Sequence, residues 1–179
     1  MGTESMFVGK CRMWVAELSG SPVTAVAAPT TANGGRDLGP ARGAAVTINI
    51  ETIQYKEGAN IIEERIITKE FGLRCSVGEK TQKNLSVLLQ VDEPATADGD
   101  VNIGSSLVFK YYTVGLEHER PDGKYWHAFV WKGRVSPTGD AEIPNDDFSD
   151  TDIEVTALEY TANSGNEFGK IKIEVSAWT

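Results

Sequence analysis

The feature that most restricts this chain is a two-residue alternation over residues 44–56, taken up again over 71–78. Val46, Ile48 and Ile50 are apolar, while Thr47, Asn49 and Glu51 between them are polar. A helix repeats every 3.6 residues and cannot gather such a set onto one side; a strand with one face on a core and one on water does. Glu57-Gly58-Ala59-Asn60 then supplies turn chemistry. Residues 61–70 follow, and Leu73, Cys75 and Val77 resume the spacing of two in 71–78. The pattern predicts two long strands joined by a protruding loop, 55–64, with Ile61 and Ile62 at or near its tip. Paired isoleucines exposed there suit a surface that another molecule covers; the alternative is that both fold back on their own core.

The same alternation recurs on both sides of this pair. Residues 7–18 read as a strand with Cys11, Met13 and Val15 on one face. Residues 19–43 are rich in Gly, Pro, Ala and Thr, broken at Asn33-Gly34-Gly35 and Gly39-Pro40, and read as a long loop. Between 80 and 91 the period changes, with Leu85, Leu88 and Leu89 at helical spacing and Thr81 as a cap. Strands are expected near 106–117 and 125–136, around the hairpin signal Arg120-Pro121-Asp122-Gly123-Lys124. An acidic loop, 137–150, precedes a strand at 151–161, where Ile153, Val155 and Ala157 alternate with Asp152, Glu154 and Thr156. A C-terminal strand lies within 162–179, near 169–178; Ile171, Ile173 and Val175 share one parity, Lys170, Lys172 and Glu174 the other. The expectation is mainly β: one domain over 1–179, a sandwich or barrel of about seven strands with a short flanking helix.

Chemistry finds few footholds. No apolar run approaches the roughly 18 residues of a membrane-spanning helix. The first ten residues lack the basic start and long apolar stretch of an export signal. The net charge is −9, and the surplus sits in the second half: residues 91–179 hold 7 Lys+Arg against 17 Asp+Glu, residues 1–90 hold 10 against 9. A surface that grips phosphates is therefore not expected over most of the molecule. Gly34-Gly35 lacks the Gly-Lys of a phosphate loop, and no Gly-x-Ser-x-Gly elbow occurs. His118 and His127 flank the hairpin beside Glu117 and Glu119, but neighbours on a strand face opposite ways, so exposed hairpin-end histidines are expected rather than a metal site. Asp98-Gly99-Asp100 begins like a calcium loop, yet Phe109 stands where the bidentate Glu is needed. Glu142, Asp146, Asp147, Asp150 and Asp152 read as a solvated acidic loop. Asn84-Leu85-Ser86 matches a glycosylation acceptor but falls on the helix. Cys11 and Cys75 read as buried free thiols. Tyr125, Trp126, Phe129 and Trp131 read as core packing, with a sugar-stacking platform as the alternative. No catalytic residue, metal ligand or cofactor is expected.

Residues 73–90, LRCSVGEKTQKNLSVLLQ, run from a strand through Glu79 and a Thr81-x-x-Asn84-Leu85 start into a short helix. This order resembles the major tail tube family of bacteriophages. Residues 111–135 resemble that family's hairpin around Pro-Asp-Gly, and residues 150–160 its penultimate strand, ending in Ala157-Leu158. The resemblance spans about 40–160; the 19–43 segment and the tail after Ala162 match nothing in it. It implies a β domain with a flanking helix, related in fold to type VI secretion tubes, that forms six-membered rings stacked into a tail tube within a virion and assembled in the host cytoplasm. The implied partners are further copies of the chain, a tape-measure protein, terminator and tip proteins, and a sheath if the tail contracts. DNA would pass through the lumen without specific binding, and no membrane is involved. On that reading Thr47, Asn49, Glu51, Asp152, Glu154 and Thr156 line the lumen, and Glu57, Asn60, Ile61 and Ile62 form the ring-stacking loop. A type VI-like secretion tube and a carbohydrate-binding β module are the alternatives.

Overall fold

A computed structural model describes residues 10–18, 29, 35–57, 60–78, 82–91, 110–138, 151–160 and 168–177. The domain is mainly β. Its elements are β1 (Cys11–Glu17), β2 (Arg36–Glu57), β3 (Asn60–Val77), the short helix α1 (Gln82–Leu88), β4 (Tyr112–Glu119), β5 (Tyr125–Pro137), β6 (Thr151–Ala157) and β7 (Gly169–Val175). The strands form one seven-stranded sheet in the order β4-β1-β2-β3-β6-β5-β7, and β4 also pairs with β5. Every pairing is antiparallel. The hydrogen-bonded path thus runs from β4 through β1, β2, β3, β6 and β5 and back to β4. β5 makes this return by serving three neighbours: β4 along most of its length, β7 from Tyr125 to Val130, and β6 from Gly133 to Pro137.

Alternate positions of these strands build the core. Met13 and Val15 of β1, Leu73, Cys75 and Val77 of β3, Val114 and Leu116 of β4, Val130 and Val135 of β5, and Ile153 and Val155 of β6 are all buried. Each aliphatic side chain taken fully out of water contributes about 1.5–3 kcal/mol. α1 adds Val87 and Leu88 to the cluster. Asn84, on the same helix, is buried and donates from Nδ2 to the Leu38 carbonyl at 3.1 Å, tying α1 to the start of β2. The glycosylation reading therefore falls away: that amide is inside.

Three expectations are corrected. The segment expected as loop over 19–43 is strand from Arg36 onward, because Leu38 and Ala41 are core residues and β1 pairs there, with Trp14 opposite Asp37 and Cys11 opposite Ala41. Gly39 and Gly43 take positive φ, 95° and 59°, which lets the strand bend where a residue with a Cβ would be strained. The 55–64 segment is ladder rather than loop, since pairing continues until Glu57 faces Asn60. Finally, the clean alternation over 44–56 does not mark one buried face: Ile48 and Ile50 are 57% and 48% exposed. The calcium-like stretch at 98–104 and the acidic residues 142–150 lie outside the described residues.

Candidate functional site

The sheet register brings together the six residues expected on a polar face. Thr47 lies opposite Gly72, and Gly72 opposite Thr156. Asn49 faces Glu70, Glu51 faces Thr68, Glu154 faces Arg74, and Asp152 faces Ser76. Directly opposed residues share a face, so these rows form one polar surface across β2, β3 and β6. It continues onto β5, where Arg134 is opposite Thr156 and Ser136 opposite Glu154. The contacts along it are polar. Arg74 donates from Nε and Nη2 to Glu154 Oε1 at 2.9 and 2.6 Å, Ser76 Oγ donates to Asp152 Oδ1, and Asn49 Nδ2 donates to Glu70 Oε2 at 3.4 Å. Glu154 is thus balanced by a cation, which the alternation alone does not reveal.

Beyond the body, β2 and β3 continue alone as a two-stranded arm. At about 3.3 Å per residue, the stretch from Val46 to Glu57 reaches roughly 40 Å. Among the described residues no third strand pairs with β2 past Arg42 or with β3 before Gly72. Ile48, Ile50, Ile53, Tyr55, Ile61, Ile62, Ile66 and Ile67 are all exposed on it. The register slips between Glu51 and Thr52, and again between Tyr55 and Lys56. Each slip adds one residue to β3, Ile67 and then Ile62, so each bulge carries an isoleucine pair and increases the local twist. The face continuous with the core carries Ile48, Ile50, Ile61, Ile66 and Phe71, with Phe71 still packed on the core at the base. On that face Thr52 Oγ1 and Gln54 Nε2 donate to Glu64 Oε1 at 2.8 and 3.3 Å, and the Thr52 bond leads in holding this carboxyl below its usual range. The opposite face carries Glu63, bonded by Arg65 Nε at 2.6 Å, together with Ile53 and Tyr55.

Of the four residues expected at a stacking loop, Glu57 and Asn60 are the last opposed pair of the arm. Ile61 and Ile62 are exposed there, not folded onto their own core. Ile53, Tyr55, Ile66 and Ile67 were not singled out from sequence. A signal for the first two exists: apolar positions are even-numbered at Val46, Ile48 and Ile50 but odd at Ile53 and Tyr55, so the strand is apolar on both sides.

Several of the other residues weighed for chemistry lie buried in the body. His127 is buried, not exposed at a hairpin end, with Nε2 3.1 Å from Glu117 Oε2 of the facing strand. Arg12 lies opposite Glu117 and pairs with Asp37 at 2.9 Å. Phe129 and Trp131 are buried edge to face, with centroids 4.6 Å apart, so neither offers a platform to a sugar. Both cysteines are free thiols, but only Cys75 is buried as expected; Cys11 is half-buried. Burial pushes Cys11 up to about 11 and Cys75 up to about 12, and Cys75 Sγ lies 3.5 Å from Met13 Sδ. Among the described residues no group of three or more His, Cys, Asp or Glu is placed to hold a metal ion. No helix among them is long and apolar enough to cross a membrane.

No family model matches the chain, and no curated protein matches it. Among solved structures it is similar to a chain of the 6-fold symmetrised baseplate of the anti-feeding prophage, at 8% identity and a TM-score of 0.47, over 98% of each chain. A superposition of that quality at that identity establishes neither a family nor a mechanism.

Proposed function

We propose that this chain is a self-assembling structural subunit of a tail tube, in which copies form six-membered rings that stack around a channel. The observation that carries the reading is the arm. An isolated two-stranded ribbon is marginal in water, and this one exposes eight large hydrophobic side chains on two faces. Open edges and apolar faces of this kind are stabilised when other copies cover them. The motifs at 73–90, 111–135 and 150–160 support the choice of a tail tube. On this reading the polar face of β2, β3 and β6, with Thr47, Asn49, Glu51, Asp152, Glu154 and Thr156, lines the channel. Its mixed, balanced charge gives DNA no continuous run of cations to grip. The arm end, with Glu57, Asn60, Ile61 and Ile62, contacts the next ring. A tape-measure protein inside, and terminator and tip proteins at the ends, complete the assembly in the virion.

Negative-stain microscopy and sedimentation of the purified chain test this. Annular oligomers or tubes that grow with concentration are expected. A chain that stays monomeric at millimolar concentration, with no rings in any preparation, refutes the proposal.

A further inference from the structure

The arm departs from the simplest ladder its own base prescribes. From Ala45 to Glu51 the pairing with Arg74 to Thr68 is unbroken. Continued without interruption, it would set Thr52 against Ile67, Ile53 against Ile66, Gln54 against Arg65, Tyr55 against Glu64, Lys56 against Glu63 and Glu57 against Ile62. Instead Ile67 and Ile62 are the extra residues of two bulges, so Thr52 faces Ile66, Gln54 faces Glu64 and Lys56 faces Ile61. A bulge leaves a residue unpaired and disrupts the ladder, so this alignment needs a compensating bond. Among the described residues, the side-chain bonds that cross between the strands there are the two accepted by Glu64 Oε1, from Thr52 Oγ1 and Gln54 Nε2. Glu63 and Arg65 bond each other along β3. Burial does not choose the alignment: Ile66 and Ile67 are 63% and 62% exposed, Ile61 and Ile62 55% and 54%. The sequence is also tolerant of a one-residue slip. Ile61-Ile62-Glu63-Glu64-Arg65-Ile66-Ile67 sets an isoleucine against Thr52 and a glutamate against Tyr55 either way. Strands not anchored by one buried face specify register weakly.

We infer that the arm is a two-register switch, in which Glu64 latches the bulged alignment and the bulge-free continuation of the base is the second state. This goes beyond the tube reading and does not depend on it. The second state gives up both bonds to Glu64 and sets Lys56 against Glu63, opposite charges that pair favourably across strands. It also gathers Ile62 and Ile66 with Ile53 and Tyr55 on the face away from the core-continuous side. One slip therefore changes which side of the arm end is apolar. A partner that covers that side draws the arm into the second register by binding it better.

Disulfide trapping in the full chain distinguishes the two alignments. A first pair, Ile53→Cys with Arg65→Cys, is opposed only in the bulged register. A second, Ile53→Cys with Ile66→Cys, is opposed only in the bulge-free one, and a third, Ile53→Cys with Glu63→Cys, in neither. Cross-links form in a glutathione buffer and are mapped by digestion and mass spectrometry, which separates them from any link to Cys11 or Cys75. Adding Glu64→Ala is expected to speed the second cross-link roughly fivefold, the scale of one lost hydrogen bond. It should slow the first and not speed the third, while the melting transition of the body is kept. A second cross-link that never forms, or that forms equally fast with and without Glu64, overturns the switch. So does a third cross-link that rises in step with the second, because that marks fraying rather than a change of register. The presence or absence of rings bears on the tube reading alone.

Discussion

Gln90 sits at φ 58°, in the left-handed region that glycine favours, just past the end of α1. Its amide compensates. Nε2 donates to the carbonyls of Val135 at 2.9 Å and Val87 at 3.3 Å, and Oε1 accepts from the Lys110 backbone N–H at 3.0 Å. One side chain thereby ties the helix end to β5 and to the approach to β4. Gln90→Leu is expected to lower stability by about 2 kcal/mol, read as a drop in melting temperature, and Gln90→Gly by less because the backbone relaxes. Nothing in the sequence distinguishes this glutamine from a solvated residue at a helix end, since its partners are backbone groups at other places in the chain. The thiols were more legible, each flanked two residues away by apolar neighbours. Their raised values fix the sign of a pH effect. A thiol kept neutral by folding stabilises the folded state fully below its ordinary 9.0, and that stability is lost as pH climbs towards about 11. Melting temperature should therefore fall between pH 9 and 11. Cys11 should react with iodoacetamide at pH 8 roughly a hundredfold more slowly than after unfolding.

Elements follow their local patterns until pairing decides otherwise. The alternation of β6, the Pro-Asp-Gly turn between β4 and β5, and the helical spacing of α1 all appear where the residues place them. The early start of β2 does not, because Gly39-Pro40 reads as a breaker while Leu38 and Ala41 are drawn into the core by contacts with distant residues. The arm was legible as two long strands; its double exposure was hidden because alternation alone does not say whether anything covers the apolar face. Ile61→Asp with Ile62→Asp is expected to give a folded, soluble chain that no longer polymerises, checked by melting and sedimentation. Tubes from that variant would remove the arm end from the assembly. β7 depends on close approach at its first residue. A Cβ on Gly169 would lie 2.3 Å from the Phe129 carbonyl oxygen and 2.7 Å from the Phe71 ring. Gly169→Ala should loosen β7 from β5, measured as faster amide exchange over 169–175 and a stability loss of roughly 1–3 kcal/mol.

The strand order of the whole molecule was the least legible part. β3 meets β6, and β1 meets β4, across long stretches of sequence, and such pairings leave no short-range mark. What was legible is the charge balance and the common parity of Thr47, Asn49 and Glu51, and of Asp152, Glu154 and Thr156. The register that sets both groups on one face came only with the fold. If that face lines a channel, Glu51→Lys with Glu154→Lys should turn it into a phosphate-binding surface, with a lysine beside Arg74. Assembled variant tubes are expected to retain double-stranded DNA in a salt-sensitive manner, while wild-type tubes do not; equal retention by both would count against a channel there. The ribbon of β2 and β3 has a last consequence. Its side chains are exposed on both faces, so in the lone chain a protease can approach it from either side. A cut in this ribbon would leave the body's ladders in place, whereas neighbours packed around the same stretch would shield it, making the rate of nicking a clock for assembly.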